Sequence, residues 1–124
     1  MNTAQALPDG WQVVSLGEIA EIRAGGTPDR GRSDYFGGGI PWVKSGELRD
    51  RVVDSFEETI SDEGLANSAA TIFPKGTVCI ALYGATVGKL GILGIDAATN
   101  QAVCGIKLPE EINRLFIYYY LTSV

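Results

Sequence analysis

The side chains best equipped for directed chemistry in this chain lie in four polar stretches set between glycines and short apolar runs. They are Thr27, Arg30 and Arg32 after Gly25-Gly26; Lys44, Ser45 and Arg49 after Ile40-Pro41-Trp42-Val43; Tyr83, Thr86 and Lys89 within Tyr83-Gly84-Ala85-Thr86-Val87-Gly88-Lys89; and the amide pair Asn100-Gln101. The chemistry they offer is recognition. An arginine fork pairs with two acceptors at once, on a phosphate or a guanine edge, while ammonium, hydroxyl and aromatic ring supply point charge, single hydrogen bonds and stacking. Each stretch also has a plainer reading. The first is equally a solvated loop, the third a tight hairpin, and Asn100-Gln101 reads foremost as a pair satisfying buried backbone groups, with adenine contact the sharper alternative.

Covalent chemistry is poorly provided for. The chain has no histidine, which removes the commonest general base and the triads built on it. Asp34 and Asp96 are the carboxylates on which a small enzyme would have to rest, and neither has a second carboxylate at a recognisable spacing. Gly84 to Lys89 superficially follows a phosphate-binding loop, but Leu90 stands where Ser or Thr would hold magnesium, and the residues after it suit a strand. Cys79 and Cys104 sit in apolar runs without a CxxC pair, so they read as buried thiols rather than ligands or nucleophiles. No cofactor or metal is expected.

The chain has 124 residues, 45% hydrophobic and 20% charged, which accommodates one core. No apolar run approaches the roughly 20 residues a bilayer crossing needs, and no export signal is evident, so the expected location is cytoplasmic. The net charge of −5 opposes binding to nucleic acid, but its distribution is uneven. Positions 23 to 51 hold six basic and four acidic residues, whereas 54 to 63 hold five acidic residues and no base. A polarised surface is expected, with one face open to phosphate and the other not.

Those residues need elements to hold them. Leu7-Pro8-Asp9-Gly10 is a turn leading to Trp11, and Ser15 with Glu18 has capping-box spacing for a short helix ending by Gly25. Gly25 to Gly39 reads as a long exposed loop. Strands are expected at Ile40–Val43, Arg51–Phe56, Ala69–Phe73, Thr77–Leu82, Leu90–Ile95 and Ala102–Leu108, the later ones antiparallel. Ser61 precedes an acidic first helical turn. After Pro109, a helix over Glu110–Leu121 places Ile112, Leu115, Phe116, Tyr119 and Tyr120 near one face, suited to core or partner-helix packing. That stripe still runs near Val124, which reads either as a truncation or as a compact single-domain version.

Taken in order, Leu7-Pro8-Asp9-Gly10-Trp11, Leu16-Gly17-Glu18-Ile19, Gly25-Gly26-Thr27-Pro28, Tyr35-Phe36-Gly37-Gly38 before Ile40-Pro41-Trp42-Val43, Tyr83 to Lys89, Asn100-Gln101 and Phe116 to Leu121 resemble the target recognition domain of type I restriction-modification specificity subunits. The resemblance implies an α/β (α+β) fold with a twisted, partly barrel-like, mainly antiparallel sheet, short flanking helices and a C-terminal helix leading into a spacer. It divides the chain into a recognition domain, 1–109, and the start of the spacer helix, 110–124. It further implies a non-catalytic role: reading one half of a bipartite double-stranded DNA target and positioning adenine methyltransferase subunits and, through them, restriction subunits, which use the methyl donor and ATP. The family usually has two such domains; this chain holds one. Self-association through the C-terminal helix is left open. The competing reading is a truncated or stand-alone protein-interaction fragment whose tyrosine-rich helix and acidic 54 to 63 stretch dock on partners without touching DNA.

Overall fold

The computed structural model describes residues 20–109 and 112–122. The expected turn at Leu7 to Gly10, the segment at Trp11 and the capping box of Ser15 and Glu18 lie outside them.

Two open sheets build the fold. The larger takes β1 (Glu21–Ala24), β8 (Val103–Lys107), β5 (Val78–Ala81), β6 (Leu90–Leu93) and β3 (Arg51–Val53) in that order; the smaller takes β4 (Glu58–Ile60), β2 (Phe36–Val43) and β7 (Ala98–Thr99). Pairing is antiparallel except at β3–β6 and β2–β7. The mainly antiparallel α+β architecture expected from sequence is the one observed, divided between two sheets with no closed barrel among the described residues.

Burial explains why β5, β6 and β8 read as continuous apolar runs. Along β5, Cys79 and Ala81 face a core shared with Val43, Leu48, Val53, Phe73, Leu93 and Val103. The alternate residues Val78 and Ile80 pack with Leu90, Ile92, Ile106 and Tyr118 of the C-terminal helix α2 (Arg114–Thr122). Both faces of the sheet are covered, so period-two alternation is lost. A third cluster joins Trp42, Ile60, Ala70 and Ala98 under the short helix α1 (Asp62–Ala66).

Several sequence expectations are corrected. Gly25 to Gly39 is not a long exposed loop: Gly25, Gly26, Pro28 and Tyr35 are buried, and β2 begins at Phe36. Phe36 and Ile40 both pair with Ile60, so Gly37 to Gly39 form a bulge, with Gly37 at φ +78°. Ala69–Phe73 forms no strand, because Ala69 and Ala70 lie against Gly26 and only Phe73 bridges, to Ala97. The Arg51 strand ends at Val53, and Glu58–Ile60 is a separate strand. Ser61 does cap α1, its hydroxyl accepting from Gly64 N at 3.1 Å. For α2, Asn113 sets the start, its Oδ1 accepting from Leu115 N and Phe116 N at 2.9 and 3.2 Å, so the helix begins later than Pro109 indicates. The stripe of Leu115, Phe116, Tyr119 and Tyr120 is exposed, and Tyr118 enters the core instead.

The closest backbone approach is at Gly25, where a Cβ would stand 2.1 Å from Thr99 Oγ1 and 2.3 Å from Thr99 O. Gly25→Ala is therefore expected to cost about 1–3 kcal/mol or more in urea unfolding. Gly39→Ala, where an added Cβ meets nothing within 4 Å, should stay within about 0.5 kcal/mol of the parent.

Candidate nucleic-acid interface

Three of the four polar stretches come together because β2 and β7 run parallel and end side by side. Asn100 N donates to Val43 O at 3.0 Å, so the turn after β7 lies against the turn after β2. Gly26 N donates to Thr99 O and Gly25 N to Val103 O, each at 3.0 Å, pulling the first loop onto the same corner. Trp42, 1% exposed, locks it there from beneath, its Nε1–H donating to Gly26 O at 3.1 Å. Thr27 then donates its hydroxyl hydrogen to Gln101 Oε1. Asn100 takes the structural role expected of it, Oδ1 accepting from Ala102 N at 3.2 Å.

Arg30 and Lys44, 14 positions apart in sequence, meet on one carboxylate. Arg30 Nη1 and Nη2 donate to Glu58 Oε1 and Oε2 at 2.7 and 3.1 Å, and Lys44 Nζ lies 3.1 Å from Glu58 Oε2 and 3.7 Å from Glu57. The Arg30 guanidinium also lies over the Phe36 and Trp42 rings, 4.8 and 5.0 Å from their centroids, in cation–π contact. Hydrogen bonding from Arg30, reinforced by Lys44, holds the Glu58 carboxyl down at about 2. The same pairing raises Arg30 and Lys44.

The hairpin joining β5 and β6 reaches the neighbouring turn. Thr86 donates its hydroxyl hydrogen to Ser45 O at 2.7 Å. Lys89 Nζ lies 3.3 Å from Asp50 Oδ2, while Asp50 Oδ1 accepts from Leu90 N at 2.9 Å. Asp50 takes φ 56°, the left-handed conformation that aspartate tolerates better than most side chains. The backbone bond from Leu90, then Lys89, holds its carboxyl below the usual range. Beneath the Lys44–Glu47 turn, the buried Glu47 accepts from Lys44 N and Glu57 N at 2.8 and 3.0 Å.

The nine residues singled out in sequence fall into two groups. Thr27, Arg30, Lys44, Ser45, Thr86 and Lys89 belong to this chain of contacts. Arg32 turns onto its own 3-10 turn, pairing with Asp34 at 2.8 Å and lying over Tyr35, and makes no ion pair with Glu58. Arg49 is exposed and donates from Nε to Gly46 O at 3.3 Å; Tyr83 is exposed at the hairpin's start. The basic and acidic stretches do not occupy separate faces as expected: Glu58 of the acidic run neutralises Arg30 and Lys44 of the basic one. Sequence reading missed Glu58, Asp50 and Glu47. The available signal is the sign reversal between the 23–51 and 54–63 stretches: only Asp62 and Glu63 of the acidic stretch lie in the first turn of α1.

No group of three or more His, Cys, Asp or Glu among the described residues could hold a metal. Asp34 is held low by Arg32, and Asp96 accepts from Lys75 N at 2.7 Å, so both have structural partners. Cys79 and Cys104 are free and buried as expected, burial pushing the Cys79 thiol up to about 12. Among the described residues no helix is long and apolar enough to cross a membrane. The residues from Gly84 to Lys89 form a hairpin with a strand after them, which removes the phosphate-loop alternative.

A two-sheet α+β core thus carries polar loops from distant parts of the chain close to one another. The profile of the type I restriction modification DNA specificity domain matches residues 8–124, and the chain belongs to that family. It is 28% identical over 116 residues to the type I restriction enzyme MjaIX specificity subunit of Methanocaldococcus jannaschii, covering 91% of this chain and 27% of that protein. To the HindI specificity subunit of Haemophilus influenzae it is 24% identical, covering 93% of this chain and 25% of that one. The crystal structure of the HsdS subunit from Thermoanaerobacter tengcongensis shares the fold, with a TM-score of 0.78 at 21% identity over 98% of this chain and 30% of that one. The chain thus spans about a quarter of the length of the curated relatives it matches.

Because the Glu58 carboxyl is depressed in the folded state, its contribution to stability is complete above its ordinary value of 4.5 and is lost as pH falls toward about 2. Urea midpoints measured across that window should fall more steeply for the parent than for Glu58→Gln.

Proposed function

We propose that this chain reads one half of a bipartite double-stranded DNA target for a type I restriction-modification enzyme, without catalysing a reaction itself. What supports the reading most is the meeting of Thr27, Arg30, Lys44, Ser45, Thr86 and Lys89 on one corner although they come from three separate stretches of chain. Hydroxyls, an arginine fork and ammonium groups on one surface suit simultaneous contact with phosphates and base edges. Arg32, Arg49 and Tyr83 complete the proposed DNA-contacting set at its margin.

On this reading the adenine methyltransferase subunits, and through them the restriction subunits, are positioned by the specificity subunit and carry out the chemistry in the cytoplasm. On the same reading residues 1–109 are the recognition domain and 110–124 lead toward a spacer. The exposed Leu115, Phe116 and Tyr119 of α2 favour a second reading, in which the chain docks on partner proteins or on itself through this helix without touching DNA.

Duplex binding measured over a salt series separates the two. Arg49→Ala and Lys89→Ala should each lower the slope of log K against log salt by about one if these residues contact phosphate. Methylome sequencing with and without the gene should show loss of one adenine-methylation motif; an unchanged methylome would favour protein docking.

A further inference from the structure

The guanidinium of Arg30 is held in a way that leaves one edge for a ligand. Glu58 engages it end-on, taking one hydrogen from each Nη, and the rings of Phe36 and Trp42 lie against the group. An arginine has five N–H donors, so three remain, and two of them, the Nε–H and the Nη2–H beside it, point the same way with the spacing of a two-point donor. No acceptor among the described residues takes either. The Arg30 side chain is 55% exposed, so an incoming group can approach it. The charge that would draw Arg30 toward any phosphate is offset by Glu58, which is itself shared with Lys44 from the second loop.

We infer that Glu58 is a positioning and specificity-determining residue: it orients Arg30 so that the Nε edge reads two adjacent acceptors, the O6 and N7 of a guanine in the major groove, and it suppresses the arginine's indiscriminate attraction to phosphate. This rests on the DNA-reading function proposed above and adds to it a residue that does not itself touch the DNA. A carboxylate in a DNA-facing surface is otherwise unfavourable, because it repels the backbone. Its placement becomes intelligible when the two-point pairing is considered: a free arginine binds any anion, whereas one fixed by a carboxylate and two rings is preset for a single direction of approach. Preset donors lose less freedom on binding, and a misaligned or missing acceptor leaves them unpaired. Lys44, held by the same carboxylate, ties the orientation of the first loop to that of the second.

The test uses the full chain and a pool of random-sequence duplexes, sequencing the bound fraction to obtain an enriched duplex. Each guanine of that duplex is then replaced in turn by 7-deazaguanine, which lacks the N7 acceptor. For the parent, one position should weaken binding at least about tenfold, and Arg30→Ala should abolish sensitivity at that position. Glu58→Gln, close to isosteric, should reduce the same sensitivity to a fewfold while binding of the random pool stays equal or tightens and its salt slope steepens. Arg30→Lys, which keeps the charge without the fork, should lose the discrimination, and Glu58→Ala serves in place of Glu58→Gln if the latter fails to fold. Glu58→Asp should restore part of it.

Full retention of the 7-deazaguanine effect in Glu58→Gln would overturn the inference and leave Glu58 a simple counter-charge. So would a guanine sensitivity that survives Arg30→Ala. If the parent enriches sequences but shows neither effect, the DNA-reading function stands and only the role of Glu58 falls. If the parent enriches no sequence at all, both fall.

Discussion

The placing of Thr27 and Arg30 beside the turns that follow β2 and β7 depends on one close backbone approach, that of Gly25-Gly26 to Thr99-Asn100. Gly26 N donates to Thr99 O at 3.0 Å, Gly25 N donates at the same distance to Val103 O beside it, and the Trp42 indole donates to Gly26 O from the core side. A side chain at either glycine would collide with backbone, at 2.3 Å from Thr99 O for Gly25 and 2.5 Å from Ala70 N for Gly26. The absence of a Cβ is thus what lets the first loop rest on the strand-end turns. Without that contact Thr27 would not reach Gln101, and Arg30 would be carried away from Glu58. A buried tryptophan whose N–H is satisfied by a loop carbonyl gives the arrangement both apolar burial and direction.

Electrostatics on this corner are local rather than global. Arg30, Arg32, Lys44 and Lys89 each lie within 4 Å of a carboxylate, so the surface is a mosaic of paired charges and not a basic stripe. Pairs so exposed add little to stability. Their consequence is directional: the carboxylates limit where each cation can point and lower its pull on a polyanion at long range. A chain of net charge −5 with such a surface exerts little long-range attraction on any polyanion. The curated relatives that the chain matches are about four times longer.

The larger sheet supplies the rigid base. With the smaller sheet and Phe73 on one face and Tyr118 of α2 on the other, its central strands have no solvent-facing side. Phe73 fits only because Gly105 leaves room, since a Cβ there would stand 2.5 Å from the ring. The turns leaving these strands inherit that rigidity, which is what a surface needs if it is to compare base edges differing by single hydrogen bonds.

From the sequence alone came the α+β class, the central strands at Val78–Ala81, Leu90–Leu93 and Val103–Lys107, the Ser61 cap, the buried Cys79 and Cys104, and the ordered motifs that place the chain in its family. These are local signals: apolar runs, turn residues and a capping hydroxyl act over a few positions and can be read there. The tertiary structure alone decided that β2 begins at Phe36 through a glycine bulge, that Tyr118 and not the Leu115–Phe116 stripe enters the core, and that the acidic and basic stretches interlock. Strand pairing between distant segments and the choice of carboxylate for each cation depend on contacts such as Arg30 with Glu58 and Lys89 with Asp50. Pairings 28 and 39 residues apart leave no periodicity in the chain, because only the folded backbone brings the partners within reach.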